Sequence, residues 1–127
     1  MTARTPADTI KLFNDRLNTG DLDGLVALYE PDAAFVPQSG QVVAGTAALR
    51  DTLAAFLALK PAITGETLQE VQANEVALVT NRWELRGAGP DGQPVSMAGV
   101  SADILRRQPD GSWRILIDSP WGGSPSA

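Results

Sequence analysis

Two copies of one tripeptide constrain the second half of this chain more than any other feature: Pro90-Asp91-Gly92 and Pro109-Asp110-Gly111. Each stands between runs that alternate apolar and polar residues, "VALVTNRWELRGA", "QPVSMAGVSADILRR" and "SWRILID". In a three-residue hairpin loop a type I turn is followed by a left-handed residue, best supplied by glycine, which closes the loop as a bulge. That geometry sets the register. Gly89 is expected to pair with Gln93, and Gln108 with Ser112. Counting from the first turn puts Trp83 opposite Gly99, Leu85 opposite Met97, Asn81 opposite Ser101 and Val79 opposite Asp103. Counting from the second puts Arg107 opposite Trp113, Leu105 opposite Ile115, Asp103 opposite Ile117 and Ser101 opposite Ser119.

Residues opposite each other on paired strands share a face. One face then collects Val79, Trp83, Leu85, Met97, Leu105, Trp113, Ile115 and Ile117, and it needs a cover. Trp83 is expected to lie across Gly99, which has no side chain to obstruct an indole. The reverse face holds Arg82, Glu84, Arg86, Arg106, Arg114 and Asp118 beside Ala98, Val100, Ala102 and Ile104. Asp118 is expected there as an ion-pair partner of Arg114, four residues back. The apolar end of this face suits contact with a second copy, so a homodimer through the sheet is expected.

The cover comes from the first half. Thr5-Pro6-Ala7-Asp8 is a helix start: a capping hydroxyl, a proline at the first position and an acid near the positive helix end. Ile10, Phe13 and Leu17 follow at helical spacing. "NTGDLDG" closes this helix at Gly20 and opens another capped by Asp21. That second helix buries Leu22, Leu25, Val26, Leu28 and Tyr29, and Pro31 ends it. Residues 35–43 read as a short hairpin around "PQSGQ". Thr46 caps a third helix over 47–60, with Leu49, Leu53, Phe56 and Leu57 facing inward, and Lys60-Pro61 stops it. Strands follow at 63–73, 76–88, 93–108 and 112–121. With 127 residues the chain is expected to be a single domain, 1–127, ordered over about 5–121 with a frayed tail at 122–127. Helices first and an antiparallel meander after give an α+β fold, with the helices on one face of the sheet.

Composition narrows the chemistry. The chain has no histidine and no cysteine, which removes the commonest general base, the thiol nucleophiles and the usual zinc ligands. Acid–base work would fall to Asp, Glu, Tyr, Lys or a held water. A net charge of −5 and the lack of a basic stripe exclude nucleic acid as an expected partner. No apolar run approaches a membrane span, and the first residues lack the apolar core of a signal peptide; no membrane partner is expected and the location expected is cytoplasmic. The carboxylates show no metal-ligand spacing, and no glycine-rich nucleotide loop is present, so neither a metal nor a cofactor is expected.

Within the apolar face lies a polar cluster, Asn81, Ser101, Ser119 and Asp103. A carboxyl in such a place must be paired, hydrogen-bonded or protonated. Asp103 is therefore either a satisfied structural group, bonded to Asn81, Ser101 or backbone, or a pocket acid that donates a hydrogen bond.

Three segments, "GDLDGLVALYEPDAAFV", "SGQVVAGTAALRDTLAAF" and "DILRRQPDGSWRILIDSPW", occur in an order and spacing that resembles the SnoaL-like branch of the nuclear transport factor 2-like, or ketosteroid-isomerase-like, superfamily. The resemblance covers nearly the whole chain. It implies a cystatin-like conical barrel: N-terminal helices packed on a curved, mainly antiparallel sheet around an internal pocket, with many members dimeric through the sheet. Members include isomerases, polyketide cyclases, dehydratases, epoxide hydrolases and non-catalytic modules, so the fold does not choose the function. Carried over position by position, the aspartate base of ketosteroid isomerases falls on Pro37, and their oxyanion-hole tyrosine on Phe13. Their oxyanion-hole aspartate falls on Asp103. The first two positions lack the functional group; the third retains it.

The expected pocket is walled by Phe13, Tyr29, Val36, Phe56, Trp83, Met97 and Leu105, with Asp103, Asn81 and Ser101 at its polar end. The expected function is binding of a small apolar, ring-containing molecule, with acid–base chemistry of isomerase or cyclase type in which Asp103 is the hydrogen-bond donor or acid. The alternative is a non-catalytic dimeric ligand carrier or assembly module.

Overall fold

The structure is a computed structural model and describes residues 4–124. Helix α1 (Pro6–Thr19) opens on a reciprocal cap. Thr5 Oγ1 accepts from the Asp8 N–H at 3.1 Å, and the Asp8 carboxylate accepts from the Thr5 N–H at 3.2 Å. Gly20, at φ 75°, ends the helix in the left-handed conformation.

Helix α2 (Leu22–Val26) is only five residues long, against an expected run to Tyr29. The reason lies in the sheet. The Leu28 carbonyl accepts from the Ile115 N–H at 2.8 Å, and this contact starts strand β1 (Tyr29–Phe35) alongside a C-terminal strand. Pro31, which has no N–H to give, falls in the irregular stretch between the Tyr29–Ile115 and Ala34–Ile117 pairings. Strand β2 (Val43–Ala44) then folds back on Ala34 and Phe35. Helix α3 (Thr46–Leu57) is capped at Gly45 rather than Thr46, whose hydroxyl donates to the Pro31 carbonyl at 3.3 Å. Strands β3 (Ala62–Ala73), β4 (Val76–Ala88), β5 (Pro94–Arg107) and β6 (Trp113–Asp118) complete the chain.

The six strands form one sheet in the order β2-β1-β6-β5-β4-β3. Every pairing is antiparallel except β1 with β6. The sheet curves around the helices without closing, which makes this the cystatin-like α+β cone. α1 packs on β3, β4 and β6, and α3 on β1 and β2. Ile10 and Leu17 of α1 and Leu49 and Leu53 of α3 meet Val79, Leu105 and Ile115 of the sheet in the core. No helix among the described residues is long and apolar enough to cross a membrane.

Both Pro-Asp-Gly turns close as expected. The Gly89 N–H donates to Gln93 at 2.8 Å and the Gln108 N–H to Ser112 at 2.7 Å, with Gly92 at φ 80° and Gly111 at φ 86°. The β4–β5 register agrees with the count from Ala88 back to Val76. The β5–β6 register agrees at Arg107–Trp113 and Leu105–Ile115, and then departs: Ile117 pairs with Ile104, not Asp103. Leu116 is one residue too many, a β-bulge, and a one-residue slip reverses the faces beyond it. Ile117 therefore turns outward, 37% exposed, and Asp118 turns inward, 7% exposed. The outward Asp118–Arg114 pair is overturned.

Two further expectations fail for one reason. β6 ends at Asp118, leaving the N-terminal half of β5 with an open edge, and residues 119–124 fill it. The Ser119 carbonyl accepts from the Ala102 N–H, and the Gly123 N–H donates to the Val100 carbonyl, both at 2.9 Å. Ser124 Oγ accepts from the Val100 N–H at 2.9 Å. Residues 122–124 are thus tied down rather than frayed; 125–127 lie outside the described residues. The indole across Gly99 is Trp121 rather than Trp83: a Cβ at Gly99 would stand 2.7 Å from Trp121 Cδ1.

Candidate ligand pocket

Between α1, α3 and the concave side of the sheet lies a cavity of about 60 Å³. Aromatic side chains from separate elements form much of the wall: Phe13 of α1, Phe35 of β1, Phe56 of α3, Trp83 of β4, and Trp121 from the segment after β6. Trp83 and Trp121 meet edge to face, ring centres 5.3 Å apart. Trp83 Nε1 donates to the Pro120 carbonyl at 2.7 Å, and Trp121 Nε1 to the Ala98 carbonyl at 3.1 Å. A wider groove of about 370 Å³ adjoins the cavity, sharing Phe35, Phe56 and Trp121 with it and reaching Pro37 and Gln38.

The polar lining consists of Asn14, Asn81, Ser101, Asp103 and Asp118. The bulge in β6 brings Asp118 beside Asp103. Tyr29, 3% exposed behind them, donates its phenol hydrogen to Asp118 Oδ2. The Ser119 N–H donates to Asp103 Oδ1 at 3.0 Å. Burial drives the Asp103 carboxyl well above the usual carboxylate range, and the neighbouring Asp118 raises it further; the Ser119 N–H and the Ser101 hydroxyl oppose this only in part. Burial raises Asp118 as well, held back by hydrogen bonds from Tyr29 and Asp103. Tyr29 is raised well above an ordinary phenol by burial first and by Asp118 second. These directions agree on a neutral Tyr29 and a proton held by the Asp103–Asp118 pair, with the Tyr29 hydroxyl favouring the anion on Asp118. Among the described residues no lysine or arginine lines the cavity or the groove. Among the described residues no group of three or more acidic side chains could hold a metal ion.

The sequence model of the family described as SnoaL-like domain matches residues 10–115. The chain belongs to the SnoaL-like family. This SnoaL-like domain shares its fold with a ketosteroid isomerase-like protein from Erwinia carotovora atroseptica, at TM-score 0.80 and 18% identity, covering 94% of each chain. It is similar in the same way to a nuclear transport factor 2-like superfamily protein from Salmonella enterica serovar Typhimurium, at TM-score 0.80 and 15% identity, covering 94% of this chain and 88% of that one.

Of the residues expected in the pocket of this SnoaL-like domain, Phe13, Phe56, Asn81, Trp83, Ser101 and Asp103 line the cavity. Tyr29, Val36, Met97 and Leu105 do not. Tyr29 stands behind Asp118. Val36 uses its N–H on the Asp118 carbonyl at 2.9 Å, and its neighbour Phe35 is the inward side chain. Leu105 is wholly enclosed in the core, and Met97 packs on the core opposite Leu85. Pro37, where a catalytic base would fall by resemblance, borders the outer groove and not the cavity. Sequence reasoning missed Asn14, Phe35, Asp118 and Trp121. Strand alternation could have found Phe35, and helical adjacency to Phe13 could have flagged Asn14. Strand alternation counted from the turn puts Asp118 outward, and the bulge at Leu116 turns it inward.

Proposed function

We propose that this domain binds a small, uncharged, ring-containing molecule and moves a proton on it with Asp103 and Asp118. One observation carries the reading: two carboxyls, enclosed side by side with Tyr29 bonded to one of them, at the polar end of an otherwise aromatic cavity. Like charges held this close cannot both ionise easily, so one carboxyl acts as acid while the other acts as base. Asp103 carries the proton and donates to a ligand oxygen. Asp118, oriented by Tyr29, accepts a proton from the adjacent carbon, and the negative charge moves onto the oxygen that Asp103 holds. Asp118 thus occupies the role for which Pro37 has no side chain. The similarity to a ketosteroid isomerase-like protein supports this class of chemistry.

Proton exchange on cyclohexanone in deuterated water, followed by NMR, tests the proposal. The wild type should exchange the hydrogens next to the carbonyl above the buffer rate. Asp103→Asn and Asp118→Asn should each lower the enzymatic part by about 10²–10⁴-fold, the usual contribution of a positioned acid or base. Exchange at the buffer rate, or exchange equal in the wild type and both variants, would refute it.

A second reading, the non-catalytic dimeric carrier or assembly module, is favoured by the outer sheet face. Val71, Leu78, Ile104 and Ile117 stand in register across four strands, with Val71 45% exposed. This row is a better dimer surface than Ala98, Val100 and Ala102, because Gly122 and Gly123 lie close against Ala102 and Val100. A homodimer through this row is part of both readings. Light scattering at micromolar concentration should give twice the chain mass, and Ile117→Glu should halve it. A wild type that stays monomeric at every concentration would rule the dimer out.

A further inference from the structure

We infer that the side-chain amides of Asn81 and Asn14 form a second polar subsite in the cavity, which takes an uncharged hydroxyl or carbonyl oxygen of the ligand. The inference rests on the proposed use of the cavity for a small neutral molecule. It adds the ligand class: a ring with two oxygen functions, one held at the Asp103–Asp118 pair and one at the amides.

Asn81 is 4% exposed and lines the cavity. Its backbone carbonyl accepts from the Ser101 hydroxyl at 3.3 Å, but no group among the described residues hydrogen-bonds its amide. Buried polar groups in folded proteins are nearly always paired, and an exception calls for a reason. Every fully enclosed polar side-chain atom among the described residues has a partner, so the Asn81 amide is open to the cavity it lines.

A second amide joins it. Asn14 of α1 lines the same cavity, also with no hydrogen-bond partner among the described residues. The two converge over Gly65 of β3, where a Cβ would stand 2.8 Å from Asn14 Nδ2 and 2.9 Å from Asn81 Nδ2. A larger residue at 65 would push both aside. Each amide offers donors and an acceptor, which suits a hydroxyl or a carbonyl equally. A carboxylate or phosphate would meet no cation in the cavity lining and would face the carboxyl pair.

Position sets the ligand's shape. Asn81 pairs with Ser101 and Asp103 with Val79, so Asn81 and Asp103 are diagonal neighbours on the concave face. Such neighbours stand about 7–8 Å apart. That suits oxygens on opposite sides of a ring rather than on adjacent carbons.

The test compares cyclohexanone with 4-hydroxycyclohexanone, reading binding from the emission of Trp83 and Trp121, which line the cavity. The wild type should bind the hydroxyketone about tenfold tighter, the effect of one well-paired polar contact. Asn81→Leu should bind both ketones equally. Its melting temperature should equal or exceed that of the wild type, because an unpaired amide has been replaced by an apolar group. Gly65→Ala, which crowds the amides without removing them, should lose the same preference. A preference that survives in Asn81→Leu overturns the subsite, as does a lower melting temperature in that variant, which would make the amide structural. Cyclohexanone binding with no preference in the wild type removes the subsite and leaves the cavity reading standing. Binding of neither ketone removes both.

Discussion

Trp83→Ala should lower the stability of the domain by about 3–5 kcal/mol, the range for truncating a large buried aromatic. The indole is 6% exposed, forms a wall of the cavity and meets Trp121 edge to face. Its N–H also holds the Pro120 carbonyl at 2.7 Å. The substitution removes packing and releases the segment that covers the open edge of β5. Gly99→Val gives an independent check from the other side of that segment. Its new Cβ would stand 2.7 Å from Trp121 and 3.2 Å from the Pro120 carbonyl, so about 1–3 kcal/mol should be lost to crowding. Urea unfolding of the two variants and the wild type measures both. A Trp83→Ala cost below about 1 kcal/mol, or a Gly99→Val protein as stable as the wild type, would contradict this packing.

The second large effect is on the pH dependence of stability. In the unfolded chain Asp103 titrates near the ordinary aspartate value of about 3.9; in the folded chain burial and Asp118 raise it well above that. Between those two values the folded state holds more protons than the unfolded one, so stability falls as pH rises. The contribution is complete below about pH 4 and is lost as pH climbs through the raised folded value. Each unit of elevation corresponds to about 1.4 kcal/mol. Asp103→Asn is neutral throughout and should lack this loss. Urea midpoints of the wild type and the variant should therefore separate progressively above about pH 4, the variant becoming the more stable. Parallel curves from acid to mildly alkaline pH would mean that Asp103 is ionised in the fold.

How much of this could be read beforehand depended on whether a local rule governed the residue concerned. The Pro-Asp-Gly turns have one low-energy geometry, and the β4–β5 pairs counted outward from the first agree with the structure, whereas the count from the second holds only as far as Leu105–Ile115. The caps of α1 are likewise local chemistry, a hydroxyl and a carboxyl three residues apart. The end of α2 is different. Leu28 and Tyr29 have helical spacing with Leu25, yet a parallel pairing with Ile115, distant in sequence, takes them into the sheet. The site divides the same way. Asn81, Ser101 and Asp103 lie within reach of a turn count, whereas Trp121 and Pro120 reach the cavity only because a strand stops short and the following residues occupy its vacant edge. Short-range sequence carries no sign of that vacancy.

The bulge at Leu116 separates two things that a strand normally keeps together, the number of residues and the side each one takes. A chain without Leu116, paired regularly, would still set Ile117 against Ile104 and turn Asp118 to the inner side. A chain that kept Leu116 but paired without the bulge would turn Ile117 in and Asp118 out. The inward carboxyl is therefore encoded by strand length and backbone irregularity together: one extra residue is harmless where the backbone loops it out, and inverts the interior where it does not.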